Sequence, residues 1–213
     1  MLELEPVLGL KTYKVPIERY EDHPQVICAR RLVSFEGENS LDSIFIQTPV
    51  PKDFDLISID VDGNDWHIWD SLQTYRPKLV LIEFNPTIPH QVEFVQPRDM
   101  SVNQGSSLAA LIHLARKKGY ELIATTITNA FFVDKKYFSL FDIKDNSIWN
   151  MNKTVADYTF IFQLYDGTIL LRGNNILAWQ GVELDLDAIQ NDIQKLLQKK
   201  WIPEAQARSQ SNS

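Results

Sequence analysis

Apolar residues run almost unbroken through residues 54–59, with Phe54, Leu56, Ile57 and Ile59, and again through Leu79, Val80, Leu81 and Ile82. Runs of this length and β-branched content suit strands buried on both faces of a parallel sheet. Each stops at acidic residues, the first at Asp60, Asp62 and Asp65 and the second at Glu83. Between them, residues 65–75 carry Trp66, Ile68, Trp69 and Leu72 at helical spacing, and Arg76 followed by Pro77 ends the pattern. The unit reads as β-α-β. A right-handed crossover makes its strands parallel and brings both acidic ends to one carboxyl edge, where open α/β sheets bind ligands.

The flanking patterns extend this unit. Residues 25–33 read as a strand and 41–47 as a short helix, whereas 87–104, with Pro89, His90, Pro97, Arg98 and Asp99, is irregular and long enough to serve as a substrate lid. Ser106 and Ser107 cap a helix with Leu108, Leu111, Ile112 and Ala115 on one face, Arg116, Lys117 and Lys118 in its last turn and Gly119 after it. Segments 120–126 and 130–134 are too close in sequence to pair other than antiparallel. A hairpin over 158–164 and 168–171 turns at Asp166 and Gly167, and a helix over 184–200 aligns Leu186, Ile189, Ile193, Leu196 and Leu197 for packing within the chain. A short helix fits residues 17–21, and the polar residues 205–213 read as a disordered tail. The expected architecture is α/β, a three-layer sandwich with a mostly parallel sheet closed by an antiparallel strand pair, plus a small C-terminal hairpin and helix. The expected domains are 1–145 and 146–204.

The 213 residues, 44% hydrophobic and 11% aromatic, suffice for one substantial core. A net charge of -7 with only short basic runs argues against nucleic acid as a partner. The single cysteine, Cys28, lies among Val26, Ile27 and Ala29 as a buried strand thiol would, and one cysteine excludes an internal disulfide. An acidic start and the lack of an 18-residue apolar run predict a cytoplasmic protein with no membrane partner.

Asp60, Asp62, Glu83 and Asn85 are placed to share a divalent ion, or the hydroxyls or amines of a small molecule. Asn64 or Asp65 also suits the N-cap of the following helix. His67 and His90 are the histidines near this edge, and Gln104, Gly105, Ser106 and Ser107 present backbone N–H groups that could take an anion or simply cap the helix. A strand followed by Asp60, Val61, Asp62 and Gly63 also resembles the first motif of haloacid-dehalogenase-type phosphatases, with Asp60 as nucleophile and Asp62 as acid. That motif continues with Thr where Asn64 stands. The D-x-D pair equally matches metal-binding glycosyltransferases.

The stretch from Ile59 to Asp65, the helix after it, and the strand ending in Glu83, Phe84, Asn85 and Pro86 resemble the second half of an FkbM-like S-adenosylmethionine-dependent methyltransferase. The run Ser107 to Gly119, with Tyr120 to Ile123 and Asn129 to Val133 after it, is similar to that family's last helix and closing strand pair. The resemblance covers about residues 16–140. It implies a Rossmann-like fold with the methyl donor across the carboxyl edge and O-methyl transfer to a small hydroxylated, sugar-like acceptor. Asp60, Asp62 and His90 would then serve catalysis, Asp60 and Asn64 the cofactor, and Glu83, Asn85, Gln104 and Ser106 the substrate. Asp60, Asp62 and Glu83 would hold a metal such as Mg²⁺. The family's Gly-rich turn has no counterpart, since the eight glycines never lie closer than six apart. Tyr13, Lys14 and Val15 stand where a ribose-binding acid belongs. The expected state is therefore a truncated methyltransferase-like domain, alternatively an inactive remnant that binds a ligand or partner. A sheet edge left open by missing strands would suit a homodimer.

Overall fold

The structure is a computed structural model of the 213-residue chain and describes residues 26–28, 31–153, 158–177 and 181–198. The expected features at 7–15, 17–21 and 205–213 lie outside these residues. The chain divides into two compact units, 1–154 and 155–213.

In the first unit, helix α1 (Leu41–Phe45) is capped by Ser40, whose hydroxyl accepts from the Ser43 N–H. Strand β1 (Leu56–Ile59), helix α2 (Asp65–Ser71) and strand β2 (Leu79–Glu83) form the expected β-α-β unit, with β1 parallel to β2 from Leu56↔Leu79 to Ile59↔Ile82. Helix α3 (Leu108–Lys118) follows, with Ser107 accepting from the Ala110 N–H and Gly119 left-handed at φ 77°. Strands β3 (Tyr120–Thr125) and β4 (Asn129–Asp134) then pair antiparallel. A 3₁₀ turn at Lys135–Leu140 and helix α4 (Ile148–Met151) complete the unit.

The sheet order is β1-β2-β4-β3, because β4 inserts beside β2 and runs antiparallel to it. This corrects the expected mostly parallel sheet: among the described residues one pairing of three is parallel. The three-residue link from β3 to β4 allows only a reversal. β1 also departs from the expectation of burial on both faces, since Ile57 and Ile59 are buried while Leu56 and Ser58 are exposed. Residues 26–28 and 31–33 form no strand, and Cys28 is only half-buried.

Ile68 and Trp69 from α2, Val80 and Ile82 from β2, Leu111 and Leu114 from α3 and Phe132 from β4 are almost wholly removed from water. Each contributes about 1.5–3 kcal/mol of burial. The termini of α2 and α3 cap each other. Lys118 donates Nζ to the carbonyls of Asp70 (3.1 Å) and Leu72 (2.9 Å), while Arg76 donates to those of Lys118 (2.7 Å) and Gly119 (3.2 Å). The Asp42 carboxylate accepts from the Gln73 and Thr74 N–H groups (2.9 and 3.0 Å), so α2 ends at Ser71 rather than at residue 75. Residues 146–153, expected in the C-terminal appendage, lie in this unit: Ile148 and Met151 pack on its core, and Thr125 donates its hydroxyl to the Met151 carbonyl (2.9 Å).

The second unit contains the hairpin β5 (Thr159–Gln163) and β6 (Ile169–Gly173), the short pair β7 (Ile176–Leu177) and β8 (Val182–Glu183), and helix α5 (Leu186–Gln198) packed on β6. Asp166 accepts from the Thr168 N–H (2.9 Å) and Gly167 adopts φ 86°, which fixes the expected turn. Among the described residues no helix is long and apolar enough to cross a membrane.

Candidate functional site

Because Ile59 pairs with Ile82, the residues that follow them, Asp60 and Glu83, emerge side by side at the carboxyl edge of β1 and β2. Asp60, Asp62 and Glu83 can each offer one carboxylate oxygen such that all three atoms lie within 4.8 Å of one another. Asp62 adopts φ 56°, which turns the chain back after β1. Asp60 and Asp62 are open to solvent and Glu83 is half-buried.

Asp65 anchors this turn from below. It is buried, and its carboxylate accepts from the Val61 N–H (3.1 Å) and the Gly63 N–H (3.0 Å). Burial pushes its pKa to about 7, despite those backbone donors, and the Asp60 charge adds to the rise. Glu83 is pushed to about 8, chiefly by burial and then by the negative charges of Asp65, Asp60 and Asp62. Asp60 is raised by burial and by Asp62. The edge therefore retains protons at neutral pH. Hard oxygen donors crowded in this way suit a divalent cation, whose charge would favour the ionised carboxylates.

The long segment 87–104 packs against the turn, held by Gln96, a buried residue that no feature of the sequence singled out. Gln96 Oε1 accepts from the N–H groups of Gln104 (3.0 Å) and Gly105 (2.9 Å), and its Nε2 donates to the Val102 carbonyl (2.8 Å). Its own carbonyl accepts from His67 Nε2 at 2.8 Å. Gly63 is the matching surface. At φ 147° it admits the segment so closely that a Cβ there would lie 2.9 Å from both Asn103 Cα and Gln96 Oε1.

The remaining candidates divide by what they touch. Asn85 Oδ1 accepts from the Thr87 N–H and hydroxyl, and its Nδ2 donates to the Gln104 carbonyl (2.8 Å). Ser106 is buried, with its hydroxyl accepting from the Gln96 N–H (3.3 Å). Asn64 is also buried and donates Nδ2 to the carbonyls of Asp99 and Val102 (3.2 and 3.3 Å), while its Oδ1 has no partner among the described residues. These three side chains, with Gln104, tie the segment to the edge. His67 is buried with its ring edge-on to Phe35. His90 stacks edge-on against Trp149 at 4.9 Å, burial lowers its pKa, and among the described residues no hydrogen bond or ion pair links it to Asp60, Asp62 or Glu83. Asn129, to which the sequence analysis gives no site role, pairs with Glu83 across β2 and β4 at the same edge. No family model matches the chain, and neither the curated proteins nor the solved structures contain a match to it.

Proposed function

We propose that this chain binds a small hydroxylated ligand, with a divalent cation such as Mg²⁺, at the carboxyl edge of β1 and β2. The reading includes a Rossmann-like scaffold of the methyltransferase kind, with O-methyl transfer as the reaction the edge would serve. The observation that carries it is the convergence of Asp60, Asp62 and Glu83 within 4.8 Å. These three residues would hold the cation, which would supply charge to acidify a bound hydroxyl. Asp60 and Asp62 meet solvent and are available as ligands. Glu83, which carries a proton near neutral pH in the free protein, would accept one from the hydroxyl once ionised. Gln96 and Asn85 would hold the 87–104 segment over the edge and limit water there.

The fit to S-adenosylmethionine is poorer. No two glycines are close enough to form the donor's Gly-rich cradle. The same observation favours a second reading, in which the edge binds its ligand without transferring a methyl group.

Calorimetric titration separates the two. S-adenosylhomocysteine is titrated into the chain with and without Mg²⁺, with Asp60→Ala as control. Micromolar binding, about -8 kcal/mol, that is lost in the variant supports the transferase reading. Heat from Mg²⁺ alone, with none from the nucleoside, supports the binding module. A cooperatively folded chain that takes up neither sinks both.

A further inference from the structure

We propose that the chain forms a two-fold symmetric dimer by antiparallel pairing of β5 with β5 of a second copy, centred on Ile161. Two hydrogen bonds fix which way the strand's backbone groups point: Leu164 N–H to the Thr168 carbonyl (2.8 Å) and Asn174 N–H to the Tyr158 carbonyl (3.0 Å). Antiparallel pairs alternate, so the even-numbered residues of β5 bond to β6, and Thr159, Ile161 and Gln163 direct their N–H and carbonyl groups outward. The opposite edge of the hairpin is treated differently. The outward N–H groups of Ile169 and Leu171 on β6 donate to Gln194 Oε1 (2.6 Å) and Gln190 Oε1 (3.1 Å) of α5. One edge is thus closed by side chains of its own unit, and among the described residues no strand pairs with the outer edge of β5.

The side chains on that edge choose the occupant. Phe160, Ile161 and Phe162 are 52%, 63% and 44% exposed, and the strand carries no charge, proline or bulge of the kind that protects a free edge. Its sequence, T-F-I-F-Q, is symmetric in polarity about Ile161. A two-fold axis there sets Ile161 against its copy, Thr159 against Gln163 on the same face, and Phe160 against Phe162 on the other. Polar then meets polar and aromatic meets aromatic, with no like charges opposed. About six backbone hydrogen bonds close the pair. A generic partner strand would satisfy the backbone but would not account for this symmetry.

Sedimentation of the full chain should give twice the 24.6 kDa monomer mass at micromolar concentration. Ile161→Lys, and separately Ile161→Pro, which removes only an outward N–H, should restore the monomer with near-ultraviolet circular dichroism unchanged. In a Cys28→Ser background, Ile161→Cys should cross-link to itself with a short bismaleimide, whereas Tyr165→Cys, exposed but far from the axis, should not. A folded parent that sediments as a monomer overturns the proposal. So does a dimer whose mass survives Ile161→Lys, or cross-linking at 165 in preference to 161.

Discussion

Raising the pH should weaken the first unit, the reverse of the usual behaviour of carboxylates. Asp65 moves from 3.8 in the unfolded chain to about 7, and Glu83 from 4.5 to about 8. Between those values the folded carboxyls hold protons that the unfolded ones have shed. The folded state therefore binds more protons, and stability present at low pH is lost as pH rises through the folded values. Below about pH 6.5 the half-buried His90, whose pKa is lowered, opposes the trend because acid would charge its ring. The clean window runs from pH 6.5 to 8. There Asp65 loses about half a pH unit of protection and Glu83 about one and a half, a ceiling of about 3 kcal/mol at about 1.4 kcal/mol per unit. The Asp65 charge contributes to the rise of Glu83, so the two losses overlap, and Glu83 is partly solvated, so about 1–2 kcal/mol is expected.

Urea unfolding followed by tryptophan fluorescence, with Trp66 and Trp69 in this unit, measures it directly. An m-value of about 2 kcal/mol/M converts the loss into a midpoint lower by about 0.5–1 M at pH 8 than at pH 6.5. Glu83→Gln should remove more than half of that slope and raise stability at pH 8. Millimolar Mg²⁺ should flatten the slope, because a cation on the ionised cluster replaces the protons it releases. A midpoint that is level or rises across the window, or a Glu83→Gln variant that keeps the full slope, would refute the reasoning.

Three further outcomes follow from the packing. Gly63→Ala should cost about 2–4 kcal/mol in urea unfolding, because it combines an unfavourable positive φ with a Cβ 2.9 Å from backbone; a loss under about 0.5 kcal/mol would show that the segment moves aside freely. Gln96→Ala strands the Gln104 and Gly105 N–H groups and leaves the Val102 carbonyl with Asn64 Nδ2 as its remaining donor, and limited proteolysis within 87–104 should accelerate at least tenfold while α3 keeps its amide protection. Arg76→Ala should destabilise by about 2 kcal/mol, since it takes the Nε donor at 2.7 Å from the buried Asp134 carboxylate, which keeps only the Lys136 N–H (3.1 Å) and the more distant Lys136 ammonium, and removes the guanidinium donors from the Lys118 and Gly119 carbonyls. Arg76→Lys should recover little of this, because one ammonium cannot span all three acceptors.

How far the sequence could be read depended on how local each determinant was. Residues 106–119 were readable because cap, apolar spacing, basic last turn and terminal glycine all lie within one helix and agree. The acidic edge was readable for a related reason: a β-α-β crossover is a local unit, and the parallel pairing it makes brings the carboxyl ends of β1 and β2 together. The sheet is less legible because whether a continuous apolar run is covered on one face or two depends on what packs beyond it, and the spacing of residues 120–134 does not say that β4 will sit beside β2. The end of α2 is set by Asp42 and Lys118, tens of residues away on either side. Gln96 is the extreme case. A glutamine between valine and proline in an irregular stretch carries no signal, yet its side chain collects the backbone of three residues, Val102, Gln104 and Gly105, and holds the segment against Gly63. The carboxylates are thus placed by the strand ends and the turn after β1, whereas the packing of the 87–104 segment beside them depends on tertiary contacts around Gly63. A Gln96 variant should on this account alter access to the edge while leaving the convergence of Asp60, Asp62 and Glu83 intact.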